Sequence, residues 1–240
     1  MLYWVLKYVL LGPLLRLLYR PKAVGLENLP KEGAAILASN HLAVADSIFL
    51  PMASPRRIKF LAKREYFTEP GLKGWAKRMF FGGTGNVPID RSSGSAAQAA
   101  LDTGVRILRE GDLLGIYPEG TRSPDGRLYK GKTGLARMAL EAEVPVIPVA
   151  MVGTDLINRI GSSRWRIKPG VIEVRIGKPL DFSRYYGMAG DRFVERSMAD
   201  EIMYSLMELS GQEYVDMYAA KAKEDQAKAA EASARRRLAA

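Results

Sequence analysis

Apolar and polar residues fall into short blocks along this chain, and the period changes from block to block. Apolar-rich runs at 34–38, 58–62, 113–117 and 144–151 suit strands buried on both faces. The segment 171–176 alternates instead and predicts an edge strand. Between these runs, 47–52, 72–80, 95–109 and 134–141 carry helical patterns. The clearest is 95–109, with Ala99, Val105 and Leu108 as apolar positions and Gly111 as its stop. Strand and helix alternating in this way predict a single α/β domain: a mostly parallel central sheet flanked by helices. Residues 190–238 read as helix. Beyond 219 the sequence is mostly Ala, Lys, Glu and Arg without an apolar stripe, which predicts a solvated, frayed or surface-associated tail.

The first twenty residues, MLYWVLKYVLLGPLLRLLYR, are apolar but interrupted by Lys7, by Gly12-Pro13 and by Arg16. Pro13 lacks a backbone donor and predicts a kink or a split into two short helices. A signal peptide fits poorly: no basic region precedes the apolar stretch and no small-residue cleavage site follows it. The expected arrangement is a pair of short helices lying in or dipping into a membrane interface, with Tyr3, Trp4, Tyr8 and Tyr19 as anchors. The competing arrangement is a helix packed on the protein's own core. The organisation is therefore 1–22 as a membrane-associating segment, 23–189 as the α/β domain, and 190–240 as a helical region ending in a basic, Ala-rich tail.

Composition narrows the chemistry. There is no cysteine and one histidine in 240 residues, which excludes thiol nucleophiles, disulfides and Cys- or His-rich metal sites. Any reaction that needs an imidazole must use His41. The formal charge is +10, and it is unevenly placed. Lys7, Arg16, Arg20 and Lys22 stand without an acid, residues 56–91 hold nine bases against three acids, and 221–237 is basic too. Such segments suit anionic partners: phosphorylated ligands, acidic lipid or nucleic acid. No recognisable nucleic-acid module accompanies them, so a nucleic-acid partner is not expected.

Three blocks carry candidate chemistry. Asn40-His41-Leu-Ala-Val-Ala-Asp46-Ser47 follows the first apolar run, which places it at a strand's carboxyl end. In one continuous helix His41 and Asp46 would face different directions, so contact requires His41 in the turn before the helix. Asp46 would then fix one ring nitrogen and leave the other basic. The same residues also fit a plain turn in which Asp46 or Ser47 merely caps the helix. Gly85-Asn-Val-Pro-Ile-Asp90-Arg91 ends a short strand in an Asp-Arg pair, and Arg91 offers a fork suited to phosphate or to a surface ion pair. Tyr117-Pro118-Glu119-Gly120-Thr121-Arg122-Ser123 brackets a carboxylate between Pro and Gly, either as a cleft-lining turn or as an ordinary one. Residues 126–133, GRLYKGKT, match the P-loop pattern, but the preceding strand ends too early for strand-to-loop geometry. Nucleotide hydrolysis is not expected there, although Lys132 remains a candidate for an anionic group.

Together the blocks resemble the glycerolipid acyltransferase family that includes 1-acyl-glycerol-3-phosphate acyltransferases. NHLAVAD at 40–46 is similar to its NHx4D block, GNVPIDR at 85–91 to its second block with Pro88 in place of an aromatic, YPEGTRS at 117–123 to FPEGTRS, and VPVIPVAMVG at 144–153 to its fourth. The resemblance spans about residues 24–180. It implies transfer of a fatty acyl group from a coenzyme A or carrier-protein thioester to the free hydroxyl of 1-acyl-glycerol-3-phosphate, giving phosphatidic acid. It implies His41 as general base and Asp46 as its partner, Glu119, Gly120 and Thr121 as shapers of the acceptor site, and Arg91 with Arg122 on the acceptor phosphate. Bases between Arg56 and Arg78 would receive headgroups or coenzyme A phosphates. No metal or bound cofactor is needed. The acceptor could equally be glycerol-3-phosphate or another lysolipid, and a non-enzymatic alternative is a basic membrane-binding module. Either way the expected location is peripheral or monotopic, on the cytoplasmic face of an anionic membrane.

Overall fold

The computed structural model describes residues 2–83, 85–89, 96–158, 162 and 164–238. The chain begins with one continuous helical rod: α1 (Leu2–Val5), a π-helical turn over Leu6–Leu10, and α2 (Leu11–Tyr19). Then come β1 (Lys22–Val24), β2 (Ala35–Ser39), α3 (Asp46–Ala53), β3 (Ile58–Lys63), α4 (Glu65–Thr68), α5 (Gly71–Gly83), β4 (Asn86–Ile89) and α6 (Ala96–Arg109). The second half runs β5 (Leu113–Ile116), β6 (Leu128–Tyr129), α7 (Gly134–Ala142), β7 (Val146–Val152), α8 (Thr154–Ile157), β8 (Glu173–Ile176), α9 (Arg192–Ser210), β9 (Tyr214–Val215) and α10 (Ala219–Leu238).

Among the described residues, seven strands form the main sheet in the order β1-β8-β7-β2-β5-β3-β4. The five from β7 to β4 are mutually parallel, and β8 runs antiparallel to β7. Alternate residues of β2 serve opposite faces. Ile36 and Ala38 join a core with α6, α7 and α9, while Ala35 and Leu37 join one with Tyr19, Phe49 and Leu50. Burial on both faces explains why the parallel strands read as apolar runs without alternation. β8 does alternate, but it is not the edge: β1 pairs outside it. Pro88 sits on β4, which is the opposite edge, where a missing backbone donor costs no ladder bond.

Three other expectations change. The N-terminal rod does not split at Pro13. It widens just before it, the N–H of Leu11 bonding the carbonyl of Leu6 five residues back. Lys7 is buried inside the rod's protein-facing side, not turned toward headgroups. The C-terminal helix is docked at its start, where Ala219 and Ala222 pack on Tyr129 of the small β6–β9 sheet, and is exposed as expected at the described positions beyond Lys223.

Because β2, β5, β7, β3 and β4 are parallel, their carboxyl ends share one rim of the sheet. Residues 40–46, 117–123 and 154 all follow strands on that rim.

Candidate active site

β2 delivers Asn40 and His41. Asn40 is fully buried, donates to the Met151 carbonyl at 3.0 Å and accepts from the Met151 N–H at 2.7 Å, so its amide ties the end of β2 to β7. His41 therefore emerges from a fixed backbone, in the turn before α3. Its Nδ1 lies 2.8 Å from Asp46 Oδ2. The carboxylate only accepts, so Nδ1 carries the proton and Nε2 is the basic nitrogen. Asp46 does not cap its own helix. It reaches back to accept from the N–H groups of Leu42 and Ala43, at 2.7 and 2.8 Å. Its other oxygen accepts from Thr154 Oγ1 at 2.5 Å. Four donors thus compensate a carboxyl that is completely buried. Thr154 is absent from the sequence-based candidates. Its signal was position alone: it follows β7 on the rim that carries His41.

The imidazole is held from a second side. The Tyr117 ring stacks on it at 3.9 Å between centroids and 11° between planes, and Phe60 stacks on Tyr117 in turn. Gly115 makes room for Phe60, whose ring would lie 2.3 Å from a Cβ at that position. The Tyr117 hydroxyl shares a 3.0 Å bond with Ser47, and burial beside Asp46 pushes it far above the usual phenol range. Tyrosine where the family block has phenylalanine thus adds a link from the ring to α3.

Glu119 lies beneath the cleft, not in its wall. It is buried, and its two oxygens accept from the backbone N–H groups of His41 (3.3 Å) and Tyr129 (3.0 Å). Burial pushes its carboxyl up to about 7, against the pull of those two donors. Its part in shaping the site is indirect, through the main chain at residue 41. The cleft, of about 440 Å³, is lined by His41, Val44, Ser47, Phe60, Tyr117, Gly120, Thr121 and Arg122 among others. Lys132 lines an adjoining cleft that shares Tyr117 and Gly120 with it. Residues 126–133 contain strand β6 and no continuous phosphate loop. Arg91 lies outside the described residues.

Some expected anion-binding bases are already engaged. Arg56 donates to the carbonyls of Pro30, Gly33 and Gly111, and Lys59 pairs with Glu110 and Asp112. Beside the cleft, Ser47 and Asn86 also border an apolar groove between the N-terminal rod and α3, walled by Leu6, Leu11, Leu15, Ile48 and Met52.

Comparison with known proteins bears on this geometry. The chain is 34% identical over 167 residues to the chloroplastic 1-acyl-sn-glycerol-3-phosphate acyltransferase LPAT1 of Arabidopsis thaliana, covering 69% of this chain and 45% of that one. It is 29% identical over 161 residues to the 1-acyl-sn-glycerol-3-phosphate acyltransferase of Bacillus subtilis (strain 168), covering 66% and 73%. The crystal structure of the 1-acyl-sn-glycerophosphate (LPA) acyltransferase PlsC from Thermotoga maritima aligns with a TM-score of 0.57 at 27% identity, over 79% of this chain and 72% of that one. The chain spans about half the length of the plant relatives it matches. The sequence profile of the family described as Acyltransferase matches residues 20–152, more than half of the chain and the whole stretch from β1 through β7 that carries His41, Asp46 and Glu119. On that match, this chain belongs to the Acyltransferase family.

Proposed function

We propose that the chain moves a fatty acyl group from a coenzyme A or acyl-carrier-protein thioester to the free hydroxyl of 1-acyl-glycerol-3-phosphate, at a membrane surface, giving phosphatidic acid. The observation that carries this reading is the His41–Asp46 pair at the wall of an open cleft. The acceptor hydroxyl gives its proton to His41 Nε2 while its oxygen attacks the thioester carbonyl. Asp46 steadies the imidazolium through Nδ1, as a buried carboxylate does in a catalytic triad. The carbon–sulfur bond then breaks, and the departing thiolate takes the proton back. An ester and a free thiol result, and the enzyme is unchanged. No acyl-enzyme is needed. Gly120, Thr121 and Arg122 line the acceptor's approach, and Arg91 and Lys132 are the further candidates for its phosphate. The apolar groove beside α3 suits an acyl chain.

The test is a purified-protein acyl-transfer assay, read by mass, with lysophosphatidate, glycerol-3-phosphate and other lysolipids offered in parallel. His41→Ala is expected to lower turnover by roughly 10²–10⁴-fold in a protein that still melts cooperatively, since no second imidazole exists in the chain. Near-native turnover in that variant rejects the mechanism. A product made only from another acceptor corrects the substrate.

A further inference from the structure

The C-terminal helix, which lies outside the family match, reaches a residue that lines the cleft. Ala219 and Ala222 seat α10 on Tyr129, whose own N–H is held by Glu119. The next residue is Lys223, and its Nζ donates to Thr121 Oγ1 at 2.5 Å. Thr121 and Arg122 both line the cleft beside His41. Lys132 approaches the same loop: its Nζ lies 3.1 Å from the point where a side chain on Gly120 would begin.

These cations differ from their neighbours. Arg127 is paired with Asp125, Lys130 with Asp216, and Arg196 with Asp200. Among the described residues, no ion pair engages Arg122, Lys132 or Lys223. Burial and then the charge of Arg122 hold the Lys223 ammonium below the usual lysine range, while Glu119 acts in the opposite sense. Unpaired cations gathered around one loop repel each other until an anion enters between them. The donors are chemically suited: a lysine head with hydrogens to spare, a planar guanidinium, and a Thr121 hydroxyl whose oxygen accepts from Lys223 and whose proton is free to donate.

We propose that Lys223, carried in by the C-terminal helix, binds a phosphomonoester of substrate together with Arg122 and Thr121, so that α10 is a working part of the substrate site. This rests on the acyl-transfer reading above. Two phosphomonoesters meet in that reaction, the phosphate of the glycerolipid acceptor and the 3′-phosphate of coenzyme A, and both present the same chemistry.

The experiment uses the full chain with Lys223→Met, which keeps the stem and removes the charge, and Lys223→Arg, which restores it. Steady-state kinetics are measured with short-chain lysophosphatidate and acyl-CoA, then with monoacylglycerol as a phosphate-free acceptor and with a dephospho-CoA thioester as donor. Lys223→Met is expected to raise the KM of one phosphorylated substrate roughly 10- to 100-fold, the range of one charge-assisted bond, with kcat nearly unchanged and most of the loss recovered by Lys223→Arg. A defect that vanishes with monoacylglycerol assigns the acceptor phosphate. A defect that vanishes with the dephospho thioester assigns coenzyme A. Unchanged KM for both substrates overturns the proposal, as does a lowered kcat and melting temperature shared by both variants, which would make Lys223 only a docking peg. Calorimetry with short-chain lysophosphatidate and with coenzyme A separates this from the acyl-transfer reading. Wild type that binds either one without turnover rejects the reaction, and weakened binding in Lys223→Met then still upholds the site. Wild type that turns over beside an unaltered Lys223→Met rejects the site alone. Wild type that neither binds nor reacts rejects both.

Discussion

At the residue scale, the His41–Asp46 contact depends on groups far away in the chain. Asp46 is held by Thr154 across 108 residues, and the His41 backbone by Glu119 across 78. Thr154→Val is nearly isosteric but leaves a buried carboxylate oxygen without its donor. Turnover is expected to fall by about 10- to 100-fold, the range of one hydrogen bond to a charged group, with acceptor KM little changed. Thr154→Ser should restore most of it. Equal losses in Val and Ser variants would mean that packing, not the hydroxyl, matters. Glu119 makes a stability prediction with a definite sign. Its carboxyl titrates at about 7 in the fold against 4.5 ordinarily, so between those values the folded chain keeps a proton that the unfolded chain releases. This group's contribution is therefore fully present below 4.5 and is lost as pH rises through 7, at up to about 1.4 kcal/mol per pH unit and roughly 3 kcal/mol in all. Glu119→Gln removes that slope. Its amide can accept from only one of the two N–H groups, so the variant should be the less stable at pH 5 and close the gap by pH 8. Parallel urea-denaturation curves for the two proteins across that range would reject the buried-proton account. These linkages were not legible in the sequence, because pattern and spacing report local neighbours. What was legible was the His41–Asp46 contact, since a histidine in the turn after a strand can meet an aspartate five residues on.

At the element scale, the strands of the parallel sheet and the longer helices were readable because burial on two faces and a 3.6-residue period leave strong patterns. Strand β1, the β6–β9 pair and the seating of α10 were not. Two- and three-residue strands carry no period, and alanines that pack closely contribute little hydropathy. The N-terminal rod shows why a charge inside an apolar segment is ambiguous. The sequence suggested that Lys7 would meet headgroups. Instead its ammonium donates to the carbonyls of Pro51, at 2.9 Å, and of Ser54, capping the carboxyl end of α3. The opposite end of that same helix carries Asp46. Gly12 belongs to this arrangement: the π turn brings the Lys7 carbonyl to 1.7 Å from where a Cβ on residue 12 would lie. Lys7→Met keeps the apolar stem and strands two carbonyls. It is expected to cost about 1–3 kcal/mol, lowering the melting temperature by roughly 3–10 °C. A thermal melt at fixed pH checks this, and an unchanged midpoint would show that water replaces the ammonium at no cost.

At the scale of the whole molecule, the rod's two faces assign it two jobs. Tyr3, Lys7, Gly12 and Tyr19 turn inward and are buried. Outward lie Val9, Leu10, Leu14 and Leu17, at 66%, 56%, 50% and 70% exposure, an apolar surface with Trp4 and Tyr8 stacked near one end. By length and composition Leu2–Tyr19 is apolar enough to cross a membrane, with a mean hydropathy of 1.3, yet its inner face is committed to α3 and the core. An apolar face turned away from the protein, beside exposed Arg16, Arg20 and Lys22, suits a rod lying in an anionic interface with the cleft held at the lipid surface. Deleting the rod would confound the two jobs, because it also removes the Lys7 cap and Tyr19. Replacing Leu10, Leu14 and Leu17 with Ser touches only the outer face. Each of these side chains contributes up to about 1.5–3 kcal/mol when fully buried in an apolar phase, so the triple variant is expected to bind vesicles of phosphatidylglycerol and phosphatidylcholine at least 100-fold more weakly. What binding remains should be electrostatic and should disappear at high salt. Its melting temperature and its turnover of a short-chain, freely soluble acceptor should stay near wild type, while turnover of vesicle-borne acceptor falls with binding. Flotation, a melting curve and the paired assays read all three. Undiminished flotation of the triple variant would reject the outer face as the membrane contact, and a collapsed melting curve would show that these leucines serve the fold.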